Sequence, residues 1–176
     1  GDTIDYITIA QTGNSVDFGD LSGTKSSMHA FASTTRGIFA GGASSPAIQF
    51  VTIMTTGNAV DFGSLSMGTV AGHGCSNATR GIMKMRGSSY VNTMEFVTIA
   101  TLGNSVDFGD ATNNAGGAAA MASSTRAIYA GGYGSPSFRT EIGSVEIATT
   151  GDAVTFGDLS YAADHVAGLS NGHGGL

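Results

Sequence analysis

The chain has 176 residues, of which 28 are glycine and only 11% are charged, and its 13 acidic side chains against 7 basic ones give a net charge of −6. An acidic surface repels the phosphates of a nucleic acid, so we expect no nucleic-acid partner. The longest stretch without a charge, residues 37–60, is interrupted by Gly, Ser, Thr and Pro and lacks the ~18 consecutive apolar residues of a membrane helix, so we expect no membrane insertion.

One phrase occurs four times along the chain and sets its organisation. It reads YITIAQTGNSVDFGDLS in the first copy, and the copies begin at Tyr6, Phe50, Phe96 and Ser144. The glycines at the centre of the phrase follow one another at intervals of 44, 46 and 48 residues. A period of this length is typical of repeat proteins. We therefore divide the single domain, residues 1–176, into four units: 1–42, 43–86, 87–132 and 133–176.

Each copy of this first phrase predicts a β-hairpin. Apolar and polar side chains alternate with the two-residue period of a strand, as in Ile7, Thr8 and Ile9. The dipeptide Gly13-Asn14 and its equivalents stand between two such segments, where Gly followed by Asn or Asp accepts the positive φ of a tight turn.

A second phrase, interleaved with the first, predicts two more strands in each unit. It reads HAFASTTRGIFAGG in the first copy, and the copies begin at His29, His73, Ala119 and His165. A polar turn at residues 33–35 divides the first copy into strands at residues 29–32 and 37–40. Each unit is therefore expected to contain four strands.

Four short antiparallel strands repeated about every 44 residues, without a helical stripe of apolar residues, favour the blades of a propeller. The expected fold is all-β and propeller-like, with four four-stranded blades in a four-bladed ring or as part of a larger ring. A parallel β-helix is the main alternative, but its rungs are shorter and need no hairpin dipeptide once per unit.

The order of these signals resembles the kelch type of β-propeller repeat. A strand ends in a glycine doublet, as at Gly41-Gly42, and the next strand opens with an acid and an aromatic residue, as at Glu95-Phe96. A hairpin then leads to a strand that ends near Phe-Gly. The resemblance covers all four units and implies that each forms a kelch-type blade.

Two features depart from the kelch pattern. The second unit has Met85-Arg86 in place of the glycine doublet, and a phenylalanine such as Phe18 stands where a kelch blade has tryptophan. The wording of the repeat, T-I-A-T-T-G-N-x-V-D-F-G-D followed by S-S-T-R-G-I-F-x-G-G, is similar to kelch-like repeats in structural proteins of tailed phages, notably phages of marine bacteria. This likeness implies a location in the virion, as a decoration, fibre or appendage subunit.

Three arginines and three aspartates recur at fixed positions of the repeat: Arg36, Arg80, Arg126, Asp17, Asp61 and Asp107. Converging carboxylates are typical ligands of hard cations, so a metal site or a lined channel is one interpretation. A structural role also predicts recurrence in every unit, with the planar guanidinium bonding carboxylates or strand-end carbonyls between blades. We favour the structural role and expect no metal and no cofactor.

Three histidines share one position of the second phrase. His29, His73 and His165 are equivalent, and Ala119 interrupts the set. Imidazoles that meet near an axis would suit zinc or copper. The preferred interpretation is structural, with ring nitrogens bonded to backbone groups. Cys75 replaces Phe31 and is expected to be a small buried apolar residue.

The loops that follow the glycine doublets differ most between the units. Such loops carry binding in repeat proteins, because insertions collect on one face. The residues there that are best able to stack on a sugar or to anchor a protein contact are Tyr90, Tyr133, Phe138 and Arg139. Packing of these loops on the neighbouring blade is the equal alternative.

The sequence contains none of the short motifs of serine hydrolases, zinc peptidases, phosphate loops or Cys-x-x-Cys proteins, and we expect no enzymatic activity. We predict a structural or interaction protein that acts by protein or glycan contact in a phage virion. The alternative is a secreted or surface lectin-like adhesion module. The expected partners are other virion proteins, copies of the chain itself, or a glycan of the host surface.

The fourth copy of the second phrase is the weakest, since Gly172 stands where the other copies have an arginine. Such a unit would pair poorly with the N-terminal hairpin and leave an exposed edge, which proteins cover by pairing or by a partner. We therefore expect another copy or a neighbouring virion protein against residues 6–18 and 165–176.

Overall fold

A computed structural model describes residues 1–170 of the chain. Within these residues the regular structure is entirely β, with sixteen strands. No helix in the described part is long and apolar enough to cross a membrane. The all-β class predicted from the sequence is confirmed.

The first half of the described chain forms one two-stranded and one four-stranded antiparallel sheet. The two-stranded sheet contains β1 (Thr3–Tyr6) and β2 (Val16–Asp20). The four-stranded sheet contains, in spatial order, β3 (His29–Ala32), β4 (Arg36–Ala40), β5 (Ser45–Thr52) and β6 (Val60–Thr69).

The second half repeats the four-stranded sheet twice. One sheet contains β7 (His73–Ser76), β8 (Arg80–Lys84), β9 (Thr93–Thr98) and β10 (Val106–Asp110). The other contains β11 (Ala119–Ala122), β12 (Arg126–Ala130), β15 (Glu141–Glu146) and β16 (Val154–Asp158). A small hairpin of β13 (Tyr133–Gly134) and β14 (Ser137–Phe138) is inserted between β12 and β15.

Three sheets therefore have the expected four strands, but residues 1–170 do not form a closed ring. Each of these sheets begins with the strands of one second phrase and ends with the strands of the next first phrase. A sheet therefore contains parts of two sequence units, as the β3–β6 sheet does with residues 29–69, on both sides of the boundary at residue 42. The copy of the second phrase at His165 forms no strand up to residue 170, contrary to expectation. The rest of that copy, including Gly172, lies outside the described residues.

The hairpins of the first phrase are wider than predicted. The strand β1 ends at Tyr6, so Ile7 and Ile9 lie outside it, and residues 53–59 connect β5 to β6. The Gly-Asn dipeptides are therefore not two-residue turns. The acid and aromatic pair also does not open its strand, because Glu95-Phe96 is in the middle of β9. The turn at residues 33–35 is where the sequence placed it, with β4 beginning one residue early.

Apolar side chains pack between successive four-stranded sheets. One cluster joins Phe31, Ile38 and Phe62 of the β3–β6 sheet to Met83 and Val97 of the β7–β10 sheet. An equivalent cluster joins the β7–β10 sheet to the β11–β16 sheet, and Cys75 is a buried member of it, as predicted. Since buried apolar area is the main source of stability, each sheet depends on its neighbours.

The first strands of the sheets lie side by side, with β3 against β7 and β7 against β11. The hydroxyl of Ser76 donates to the carbonyl oxygen of Ala32 across this contact, at 2.7 Å. Small residues permit the close approach, because a Cβ on Gly74 would lie 2.9 Å from the ring of Phe31.

Candidate functional site

The loops at three of the four Gly-Asn or Gly-Asp dipeptides, those at Gly57, Gly103 and Gly151, dock on the outer strand of the preceding sheet. The amide of Gly57 donates to the carbonyl oxygen of Phe18 at 2.7 Å, and the amide of Ala59 donates to that of Asp20 at 2.8 Å. The side-chain oxygen of Asn58 accepts from the amide of Asp20 at 3.0 Å. These three hydrogen bonds form one junction between sheets.

The same three bonds occur at two further junctions. At the second, Gly103 and Ser105 donate to Phe62 and Ser64 at 2.8 and 3.0 Å, and Ser64 donates to Asn104 at 3.0 Å. At the third, Gly151 donates to Phe108, Ala153 donates to Asp110, and the amide of Asp110 donates to the side chain of Asp152. The dipeptide therefore connects sheets and does not close a tight turn.

A glycine in the receiving strand makes room for the loop. At Gly19, Gly63 and Gly109 the φ angles are +146°, +151° and +135°, which favour glycine. A Cβ at any of the three would overlap the carbonyl group of the docked loop glycine. The junction thus explains the Phe-Gly pair in the first three copies of the first phrase.

Two of the three repeat arginines, Arg36 and Arg80, connect a sheet to the one that follows it. Arg36 donates from Nη1 to the carbonyl oxygen of Ile99 at 2.8 Å, and Arg80 donates to that of Ile147 at 3.0 Å. Each guanidinium also lies over an aromatic ring of its own sheet, at 4.6 Å for Phe50 and 4.7 Å for Phe96. The predicted bonding to strand-end carbonyls between units is present at these two positions.

Arg126 does not bond a following sheet. Its Nε lies 3.2 Å from the carboxylate of Glu146, which is its partner in the strand register. Both side chains are about half exposed. The third arginine therefore retains the repeat position without the contact that Arg36 and Arg80 make.

The three repeat aspartates do not form a site. Asp17, Asp61 and Asp107 are exposed on β2, β6 and β10, and within residues 1–170 they have no side-chain hydrogen bond or ion pair. The described part of the chain contains no group of three His, Cys, Asp or Glu side chains placed to hold a metal ion. Strand alternation points these carboxylates to solvent, since the flanking Phe18 and its equivalents face the core.

The three equivalent histidines differ in burial, with His29 buried, His73 half-buried and His165 exposed. His29 is fully buried, and neither ring nitrogen makes a hydrogen bond of good geometry in the described chain, although the backbone of His73 lies close to the ring. Burial lowers the pKa of His29 to about 4. Burial, with the charges of His165 and Lys84, also lowers the pKa of His73 to about 4. Both rings are therefore neutral at pH 7.

Three of the four predicted contact residues form a row, which we call the aromatic row. The ring centroids of Tyr90 and Tyr133 are 5.7 Å apart, and those of Tyr133 and Phe138 are 5.2 Å apart, both edge to face. Arg86 lies 4.6 Å from the ring centroid of Tyr90. Arg139, the fourth, follows Phe138 in the chain and is half-buried, and its Nε is buried without a hydrogen-bond partner within residues 1–170.

A cavity of about 500 Å³ adjoins this row. Its lining includes Tyr90 and Tyr133 together with polar groups from three other segments, namely His73, Arg86, Asp164 and His165. The Nδ1 of His165 lies 2.9 Å from the carboxylate of Asp164. Aromatic walls with a few charged and hydrogen-bonding groups are typical of sites for small polar ligands such as sugars. We refer to this cavity and its lining as the aromatic cleft.

The buried Lys84 was not among the predicted site residues, and it replaces the alanines Ala40 and Ala130 of the other sheets. Its Nζ donates to the side-chain oxygen of Asn113 at 2.8 Å and to the carbonyl oxygen of Ala115 at 2.6 Å. Burial lowers its pKa to about 8. The lone lysine at a position otherwise occupied by alanine was the available signal.

Comparison of the chain with models of known protein families finds no match, and comparison with curated proteins finds no similar sequence.

Proposed function

We propose that the chain is a structural protein that works by contact, as a decoration, fibre or appendage subunit of a tailed-phage virion. In this proposal the three four-stranded sheets are kelch-like propeller blades, and β1–β2 is the outer half of a fourth blade. The observation that carries the proposal is the regular junction between sheets, which is formed by three docked loops, three receiving glycines and the two arginines Arg36 and Arg80. The likeness of the repeat wording to phage structural proteins supports the location.

The test is mass spectrometry of particles purified on a density gradient from a culture that produces the protein. We expect its peptides in the particle fraction at a fixed ratio to the major capsid protein. Peptides found only in the particle-free supernatant would overturn the virion assignment.

The aromatic cleft favours a second candidate, a secreted or surface lectin-like adhesion module. Tyr90 and Tyr133 offer rings for stacking, and Arg86 and Asp164 offer hydrogen bonds for sugar hydroxyls. A glycan array probed with the purified chain tests this function directly. Binding that is lost in Tyr133→Ala and retained in Tyr161→Ala, an exposed tyrosine outside the cleft, would support it. No binding above background would exclude it for the glycans printed.

A further inference from the structure

We propose that copies of this chain associate head to tail, through a junction built like those that join its own sheets. The head face comprises Asp5, Ile7, Ile9, Gly13, Asn14 and Ser15 of the first hairpin. The tail face comprises Arg126, Phe156, Gly157, Asp158 and Ser160 of the last sheet. The inference goes beyond the proposed function, since it does not depend on where the protein works.

The head face exposes apolar side chains that are buried in every internal copy that follows a complete sheet. Ile9 is 95% exposed, whereas the equivalent Ile99 and Ile147 are 1% and 0% exposed. Ile7 is 63% exposed, whereas the equivalent Val97 is 3% exposed. The first hairpin therefore has the apolar surface of a junction without a preceding sheet to cover it.

The tail face shows the complementary difference. Phe156 is 54% exposed, whereas its equivalents Phe18, Phe62 and Phe108 are 9%, 3% and 1% exposed. The groove beside Phe156 has a volume of about 450 Å³ and is also lined by Arg126 and Ile128. The last sheet therefore ends in the surface that receives a loop at the three internal junctions.

The backbone groups of the two faces match one to one. The amides of Gly13 and Ser15 correspond to donors at the internal junctions, and the side chain of Asn14 corresponds to Asn58 and Asn104. Their partners by equivalence are the backbone groups of Phe156 and Asp158. Within residues 1–170 no loop docks on these groups, and the amides of Gly13 and Ser15 have no backbone partner.

The glycines of the two faces have the conformation of an unused junction. The docked loop glycines Gly57, Gly103 and Gly151 have φ of +154°, +154° and +157°, and Gly13 does not have a positive φ. The receiving glycines Gly19, Gly63 and Gly109 also have positive φ, and Gly157 does not. A Cβ on Gly157 meets nothing within 4 Å, whereas a Cβ at the receiving glycines overlaps a docked loop.

Two side-chain contacts complete the match. Arg126 is equivalent to Arg36 and Arg80, which donate to the carbonyl oxygens of Ile99 and Ile147 at the following sheet. Both acceptor residues are equivalent to Ile9, so the carbonyl oxygen of Ile9 in a second copy is the corresponding acceptor for Arg126. Glu95 accepts from its own loop residue Ser105 and from Ser66 of the preceding sheet. On the head face Asp5 is equivalent to Glu95 and accepts from Ser15, the equivalent of Ser105, at 3.3 Å. On the tail face Ser160 is equivalent to Ser66.

A second copy is the occupant that these features fit, because its head face has the loop, apolar residues and acceptors that the internal junctions use. One chain leaves both of its own faces exposed, so the contact is heterologous. A heterologous contact produces a closed ring of copies or an open fibre, according to the rotation between successive copies.

The test uses two blocked variants of the full chain. Ile9→Glu places a charge on the head face at a position that is exposed in the single chain. Gly157→Val places a side chain on the tail face where the single chain has open space. The matched controls are Met54→Glu on an exposed loop position and Gly23→Val in another open space. Sedimentation velocity measures the size of each species, and thermal unfolding checks that every variant is folded.

We expect the unmodified chain and both controls to assemble with increasing concentration. Each blocked variant should be a folded monomer, because it retains only one working face. An equimolar mixture of Ile9→Glu and Gly157→Val should form a 1:1 dimer, since one chain supplies the tail and the other supplies the head. An unmodified chain that stays monomeric, blocked variants that still assemble, or a mixture that stays monomeric would each overturn the proposal, the first pointing to closure within one chain.

Discussion

Arg80 donates from one guanidinium nitrogen to the carbonyl oxygen of Ile147, 67 residues further along the chain, at 3.0 Å. The same nitrogen lies 2.8 Å from the carbonyl oxygen of the next residue, Ala148. The arginine thereby holds the end of β15 against the β7–β10 sheet. A charged donor on two carbonyl oxygens fixes the relative position of two sheets more firmly than apolar packing alone.

We expect Arg80→Lys to lower the free energy of unfolding by about 1–3 kcal/mol, because an ammonium group cannot keep the planar geometry of these bonds. Urea unfolding followed by circular dichroism measures the change. The matched control is Arg126→Lys, whose partner Glu146 is exposed, and its change should stay below about 1 kcal/mol. Equal effects of the two substitutions would contradict the function assigned to Arg80.

The receiving glycines give a second prediction. Gly63→Ala should destabilise the chain by about 1–3 kcal/mol or more, because the added methyl group overlaps the carbonyl group of Gly103 and φ is +151°. Gly157→Ala changes the same position of the last repeat, where the methyl group meets nothing within 4 Å. Thermal melts at a concentration that keeps the chain monomeric should show a clear loss for the first variant and little change for the second.

The buried His29 predicts a loss of stability in mild acid. Its pKa is lowered from 6.5 to about 4 in the folded chain, so the unfolded chain binds a proton first as the pH falls. The free energy of unfolding should therefore decrease between pH 6.5 and 4, by about 3 kcal/mol at most from this residue. Above pH 6.5 the contribution is constant.

The variant His29→Leu tests this assignment, because it removes the titrating ring and keeps an apolar side chain of similar volume. Unfolding free energies at pH 7 and pH 4.5 should differ less in the variant than in the unmodified chain. Parallel pH profiles for the two proteins would show that His29 is not responsible for the acid sensitivity.

The bonds of Lys84 predict that Asn113 is important for stability. Asn113→Ala removes one acceptor from the buried ammonium group and also the bond from Asn113 to Glu141. We expect a loss of about 1–3 kcal/mol in urea unfolding, since the remaining charge stays buried with fewer partners. The neighbouring Asn114→Ala is the control, because the side chain of Asn114 makes no hydrogen bond within residues 1–170. An equal loss in both variants would assign the effect to the loop itself.

The strands of the second phrase were predictable because a local signal determines them. A polar turn between two short apolar segments places β3 and β4 to within one residue. The Gly-Asn dipeptides were predicted to close a turn within their own hairpin, whereas three of the four Gly-Asn and Gly-Asp loops bond the preceding sheet. Their local sequence is typical of a tight turn. The loop instead forms hydrogen bonds with the outer strand of the preceding sheet, a partner that the local sequence does not indicate.

The environments of side chains from different sheets were not predictable in this way. The residues that flank His29 do not indicate that a neighbouring sheet buries it, and for Lys84 the signal is confined to the alanines at the equivalent positions. Tyr90 and Tyr133 were chosen for their chemistry, and their contact arises because loops of two adjacent sheets meet. The equivalence of Arg36, Arg80 and Arg126 is complete in sequence, but the third lacks a following sheet to bond.

The junctions have a consequence for how such a chain changes during evolution. At each internal junction a loop and a receiving glycine connect one sheet with the next, and Arg36 and Arg80 each bond the sheet that follows their own. Recombination that duplicates or deletes one whole unit therefore creates a boundary whose two surfaces already fit. The gene can lengthen or shorten in whole repeats without compensating substitutions, whereas an insertion of half a unit leaves a donor loop facing the wrong strand.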